Sequence, residues 1–378
     1  MSLPKIIFSW LIVLLLAALG AGLGAAWWYA GYLSEPVLQP VNSAYEGRDA
    51  LPASAPGMKL TPFTFEGWDG TSIQACIAEK AEEDSPRQVA ILAERNKQRT
   101  DAEWTSSIDY VLVSVDWDHG IQSSLELAEA LTASNLKCVL WDPRGINSAR
   151  RYCSHGLRES GDVPLLLTEL IRREKGRELV VAGVGRGFGA SLLIQAAARD
   201  PRLRSLVAID VYKTLKEAVR SMLGEEVPQW LIHPAFWLME WKINSTAGYE
   251  CFDVAPIESA PAIDRDVAAL LVDSGAEPHI TSEGDASYIY LQMKCGVRDI
   301  WALRTAGDPR DAETRNVEIE IGKNKKGARR VESIPVRLFN SEDELYLNII
   351  LWLSEHTALP SSDTALPESY LIGIENIS

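Results

Sequence analysis

Val180–Ser191 reads VVAGVGRGFGAS. The apolar run through Gly183 predicts a buried strand, and the helical pattern from Phe188 to about Arg199 predicts a helix. Between them Gly185-Arg186-Gly187-Phe188-Gly189 makes a sharp turn, since glycines mark positions where the chain bends or approaches itself closely. A strand, a tight turn and a helix can hold a nucleophile at the tip, or cradle a phosphate on backbone N–H groups. Here the tip residue is Gly187, which has no side chain to attack with.

The same strand–helix rhythm extends on both sides. Upstream, YVLVSVDWDHG (110–120) predicts a buried strand ending in His119-Gly120, followed by a helix carrying Leu125, Leu127, Ala128 and Leu131. KCVLWDPRG (137–145) predicts a second strand, and 160–173 a helix. Downstream, SLVAID (205–210), VAALLVD (267–273) and DIWALRT (299–305) predict three more strands, with a helix around Tyr288–Lys294. Alternation over this length implies a mostly parallel, doubly wound sheet with helices on both faces. Ligands of such sheets bind beyond the carboxyl ends of the strands, where His119, Asp142, the glycine turn and Asp210 fall.

Other segments break the rhythm. Residues 59–79 alternate apolar and polar around Asp69-Gly70, a hairpin pattern. Residues 211–262 hold Trp230, Phe236, Trp237 and Trp241 and predict a helical cap insertion. Residues 316–339 predict a hairpin around the basic turn GKNKKGARR. Ser341 and Glu344 form a capping box at the start of a final helix.

The net charge of −15 argues against nucleic acid, which needs a basic footprint. Five scattered cysteines, none in C-x-x-C spacing, suggest neither a metal site nor a dithiol pair, and no cofactor is expected; one disulfide stays open. Ile6–Ala30 is apolar and uncharged; as a helix it spans roughly 37 Å, more than the roughly 30 Å hydrocarbon layer of a bilayer. Trp27, Trp28 and Tyr29 follow as an aromatic belt would. The expected organisation is a membrane anchor over 1–33, a linker over 34–57, the α/β domain over 58–356 and a tail over 357–378. Lys5 favours a cytoplasmic N-terminus with the domain outside; secretion after signal cleavage is the alternative.

In their order along the chain these pieces resemble the α/β-hydrolase superfamily, in its esterase and serine-peptidase branch. The DG hairpin at 69–70, His119-Gly120, DPRGINS (142–148), SHGLRESGDV (154–163), the elbow GRGFG and FDVAPIESAPAI (252–263) carry the likeness. The resemblance implies a serine at the elbow, a histidine and an acid. This chain has Gly187 at the nucleophile position, Glu277 (or Asp273) at the acid position and Asp308 at the histidine position. It also implies an oxyanion hole from backbone N–H groups around His119, Gly120, Ile121 and Phe188. With two of three roles vacant, the expectation is a pseudo-hydrolase that binds a small acyl, carboxylate or peptide ligand; its protein partner is unknown.

Two alternatives stand beside it. Relocated ester or peptide hydrolysis would draw on Ser191, Cys153, His155, His233 or His279. A dinucleotide site would use Gly185-x-Gly187-x-x-Ala190, with Asp210 toward a ribose.

Overall fold

The computed structural model describes residues 3–38, 54–82, 85, 88, 108–114, 121–144, 152–275, 284–305, 313–323 and 329–357. The first element is α1 (Leu3–Leu38), and its Ile12–Leu38 segment is long and apolar enough to cross a membrane. The helix extends five residues into the expected linker. Its far end is docked rather than free: Ala30, Leu33, Val37 and Leu38 are buried.

The opening hairpin pairs β1 (Ser54–Ala55), β2 (Met58–Glu66) and β3 (Ser72–Lys80) antiparallel. Met58 and Leu60 are buried on one face of β2 and Phe63 and Phe65 on the other, so the strict alternation breaks between Leu60 and Phe63. Six mutually parallel strands follow in chain order: β4 (Tyr110–Ser114), β5 (Cys138–Trp141), β6 (Val181–Arg186), β7 (Leu203–Ile209), β8 (Ala268–Asp273) and β9 (Arg298–Leu303). A ribbon of β10 (Thr314–Lys323) and β11 (Arg329–Phe339) closes one edge, with β11 parallel to β9. The order across the sheet is β1-β2-β3-β5-β4-β6-β7-β8-β9-β11-β10. The fold is thus the mostly parallel, doubly wound α/β sheet expected from the sequence.

The central strands are buried on both faces, which is why they read as continuous apolar runs: Val111, Leu112, Val113, Val207 and Leu270 have no exposure. Helices cover the faces: α2 (Ile121–Thr132), α3 (Val163–Arg173) and α4 (Phe188–Ala197), then α5 (Leu215–Glu226), α6 (Ile232–Ala247) and the short α7 (Pro256–Ser259) between β7 and β8, then α8 (Asp285–Gln292) and α9 (Glu342–His356). Every residue of α4 is buried, consistent with its lack of a polar face. Ser341 caps α9 by accepting the Glu344 N–H at 3.2 Å. Cys76, Cys138, Cys153 and Cys295 are buried in the interior; burial pushes the Cys76 thiol up to about 12.

This topology locates the site. The connection after β4 leads to β5 on one side, and the connection after β6 leads to β7 on the other. The sheet's switch point therefore lies between β4 and β6, which pair through Ser114 and Gly185 at their carboxyl ends.

Candidate functional site

At the switch point Gly187 adopts φ 53° and ψ −114°, a region that residues with a Cβ enter only under strain. Its N–H donates to the Ile209 carbonyl at 2.9 Å, and its carbonyl accepts the Ser191 N–H at 3.1 Å, so the tip is held from strand and helix alike. Two positions earlier the constraint is space. A Cβ on Gly185 would stand 2.5 Å from the Gly189 carbonyl carbon and 2.8 Å from the Ala190 nitrogen. Strand and helix touch there, backbone to backbone, and only glycine fits.

The N-termini of α2 and α4 follow the paired strands β4 and β6, which brings Ile121 and Phe188 to the same edge. The first N–H groups of a helix have no partner within it, and its dipole is positive at that end. Both termini follow strands that pair at the switch point. His119, Gly120, Glu277, His279 and Asp308 lie outside the described residues.

The remaining candidates are engaged elsewhere. Ser191 is buried in α4, and its hydroxyl accepts from the Gln195 amide at 3.2 Å. Gln195 also donates to the His155 carbonyl at 3.1 Å. The His155 Nε2–H donates to the Val37 carbonyl of α1 at 2.7 Å, since a carbonyl can only accept. Cys153 is fully buried; its sulfur takes the His155 backbone N–H at 3.4 Å, and its own N–H donates to the Leu38 carbonyl at 2.9 Å. Residues 153–155 are therefore the clamp on the end of α1. His233 is exposed on α6, and the His356 ring packs on Trp352 at the end of α9.

Asp273 ends β8, with its carboxylate 3.9 Å from Arg315 Nη2 and accepting the Gly275 N–H at 3.2 Å. Asp210, just past β7, has a left-handed φ of 51° and is buried. It accepts both the Ser274 N–H, at 2.6 Å, and the Ser274 hydroxyl. Arg186 Nε approaches it at 3.8 Å, while Arg186 Nη2 donates to the Tyr346 hydroxyl at 3.0 Å. A ribose ligand needs a carboxylate open to it, and this one is already taken up. The contacts of Arg186, Ser274 and Tyr346 escape sequence reading because they join β6, β8 and α9, which no local pattern links.

A second polar cluster joins three of the fragments that carry the sequence likeness. Arg144 of the DPRG stretch is buried. It donates through Nε to Asp162 at 2.7 Å, through Nη2 to the same carboxylate, and pairs through Nη1 with Asp69 at 2.8 Å. The Trp68 ring lies 4.9 Å from the guanidinium, and the Trp68 N–H reaches Asp162 at 3.2 Å. The hairpin turn, the end of β5 and the start of α3 are thus fastened at one point. This arrangement holds the backbone of the three segments together.

Two buried groups give the fold opposed responses to pH. Burial lowers His155 from 6.5 to about 4, so the unfolded chain gains a proton first as the pH falls, and stability falls through that window. Burial raises Asp210 from 3.8 to about 6, so the folded chain gains the proton first, and stability rises as the pH falls from about 6 toward 4. The two offset each other in the parent chain. Asp210→Asn is expected to lose roughly 3 kcal/mol relative to the parent between pH 6.5 and 4, and His155→Gln to gain a similar amount. Thermal unfolding in detergent across that range checks this; parallel pH profiles for the parent and both variants would contradict it.

No protein-family model matches the sequence, and no curated protein sequence matches it. Solved structures do. An esterase of Pyrococcus furiosus is 11% identical, with a TM-score of 0.49 over 80% of this chain and 94% of its own. The esterase domain of a Rhodothermus marinus protein is 12% identical, with a TM-score of 0.45 over 79% of this chain and 100% of that domain. An acylaminoacyl peptidase of Pyrococcus horikoshii is 9% identical, with a TM-score of 0.48 over 83% of this chain and 44% of its own. These likenesses say nothing of this chain's chemistry.

Proposed function

We propose that this chain is a membrane-anchored domain of α/β-hydrolase fold that binds a small carboxylate, acyl or peptide group without cleaving it. One observation carries the reading: the elbow is preserved in backbone while its tip is Gly187, at φ 53° and ψ −114°. Two helix N-termini at the switch point supply N–H groups for a carboxylate or carbonyl oxygen, and no hydroxyl or thiol stands at the tip to attack it. Asp308 in place of a histidine is consistent with this. The length of α1 supports anchoring, with Lys5 on the cytoplasmic side and the domain outside.

The test treats the full chain in detergent with a fluorophosphonate probe and, separately, follows its melting with short-chain carboxylates, acyl esters and peptides. No serine labelling together with stabilisation by at least one of these ligands is expected. Stabilisation by none of them would contradict the binding role, and labelling would contradict the inert elbow.

A further inference from the structure

The cap helix α6 has apolar residues on both sides. Phe236, Met239 and Ile243 face inward and are buried, with Phe236 against Phe252 at 4.9 Å between ring centres. The opposite face carries Trp237 and Trp241, 65% and 55% exposed, with exposed Pro234 between them and Trp230, which is 78% exposed just before the helix. Positions 234, 237 and 241 follow the three-and-four spacing of one helical face, and Trp230 stands in the turn just before it. The charges of α6 are turned off this stripe: Glu240 lies 3.8 Å from Lys216, and Lys242 sits 4.0 Å over the Trp27 ring. An uncharged stripe of three exposed tryptophans is not ordinary solvent-facing surface.

Its position points to one occupant. Trp241 packs on Trp27 of α1, with ring centres 4.6 Å apart. Residues 12–25 of α1 are exposed throughout, and the docked part of the helix begins at 26–27. Leu3–Ala25 covers about 34 Å, enough for the hydrocarbon layer, so Trp27 marks the level where α1 leaves the lipid. Trp28, Tyr29 and Tyr32 of α1 are exposed at the same level, and Trp28 and Tyr29 each stack on Tyr32. The tryptophan stripe of α6 thus continues the aromatic belt of α1. Tryptophan favours this wet–apolar boundary, where its ring is buried and its N–H still finds a partner.

We propose that the outer face of α6 is a second membrane contact, seated in the headgroup layer of the bilayer that α1 crosses, so that the domain lies cap-down on the membrane. The proposal rests on the reading of α1 as a membrane span. The test places the photo-crosslinker p-benzoylphenylalanine in the full chain at one site at a time, in phosphatidylcholine nanodiscs with traceable lipid. The sites are Trp10, Trp237, Trp241 and, for background, Val331 on β11. Lipid adducts several-fold above the Val331 level at Trp237 or Trp241, together with adducts at Trp10, are expected. Adducts at Trp10 with only background at both cap sites would overturn the proposal and leave the anchor standing. Background at all the sites would overturn both. Adducts at the cap sites to a second copy of the chain instead of lipid would overturn the membrane seat in favour of self-association.

Discussion

Gly185→Ala is expected to destabilise the chain by about 3 kcal/mol or more, a large share of the roughly 5–15 kcal/mol that holds an ordinary fold together. The reason is contact, not conformation. The new methyl would lie 2.5 Å from the Gly189 carbonyl carbon and 2.6 Å from its oxygen. Those are backbone atoms of a helix whose every residue is buried, so no flexible side chain can give way. Gly187→Ala is the instructive comparison. Its cost comes from a positive φ, on the order of 1–3 kcal/mol. Chemical denaturation of both variants in detergent should rank Gly185→Ala below Gly187→Ala. Equal midpoints would mean that β6 and α4 are not as close as the contact requires.

Arg144→Met is expected to cost about 3–5 kcal/mol, the range for removing one partner of a buried ion pair. The methionine fills much of the volume, so the loss comes from electrostatics. Asp162 keeps its buried carboxylate and the Trp68 N–H but loses two charge-assisted hydrogen bonds, and Asp69 loses its ion pair with Arg144 while keeping its bonds from Thr71. The Arg144→Met, Asp162→Asn double variant should recover part of that cost, because the charge of Asp162 is then no longer buried without its cation. Unfolding midpoints of the two single variants and the double one form a cycle. Strict additivity would show that the bridge between the hairpin turn and α3 carries no coupling.

The sheet was legible because its strands are short apolar runs at regular spacing, and because Gly185 and Gly187 punctuate the turn where the chain must double back. The cap was legible as a break in that rhythm, and the cap of α9 from Ser341 and Glu344. The pairing order was not, since the placement of β5 outside β4 depends on contacts between distant segments. The end of α1 at Leu38 is not legible from composition, for a physical reason. Ser34, Glu35 and Pro36 look like linker composition, but the end of the helix is held by tertiary contacts, through the Val37 and Leu38 carbonyls, which propensity does not report. At the site, the substitution at Gly187 is plain in the sequence. The polar set of Arg186, Asp210, Ser274 and Tyr346 emerges only when three strands and a helix are brought together. His155 and Ser191, candidates by residue type, are buried and hydrogen-bonded to Val37 and Gln195, which no spacing reveals.

The measurement closest to the central claim is mass spectrometry of the full chain after saturating fluorophosphonate treatment, beside the same experiment on Gly187→Ser. The account predicts no modified serine anywhere in the parent chain, because the tip that would present one is bare backbone. A stoichiometric adduct on any serine of the parent chain, lost when that serine is changed to alanine, would show a working nucleophile and contradict the account.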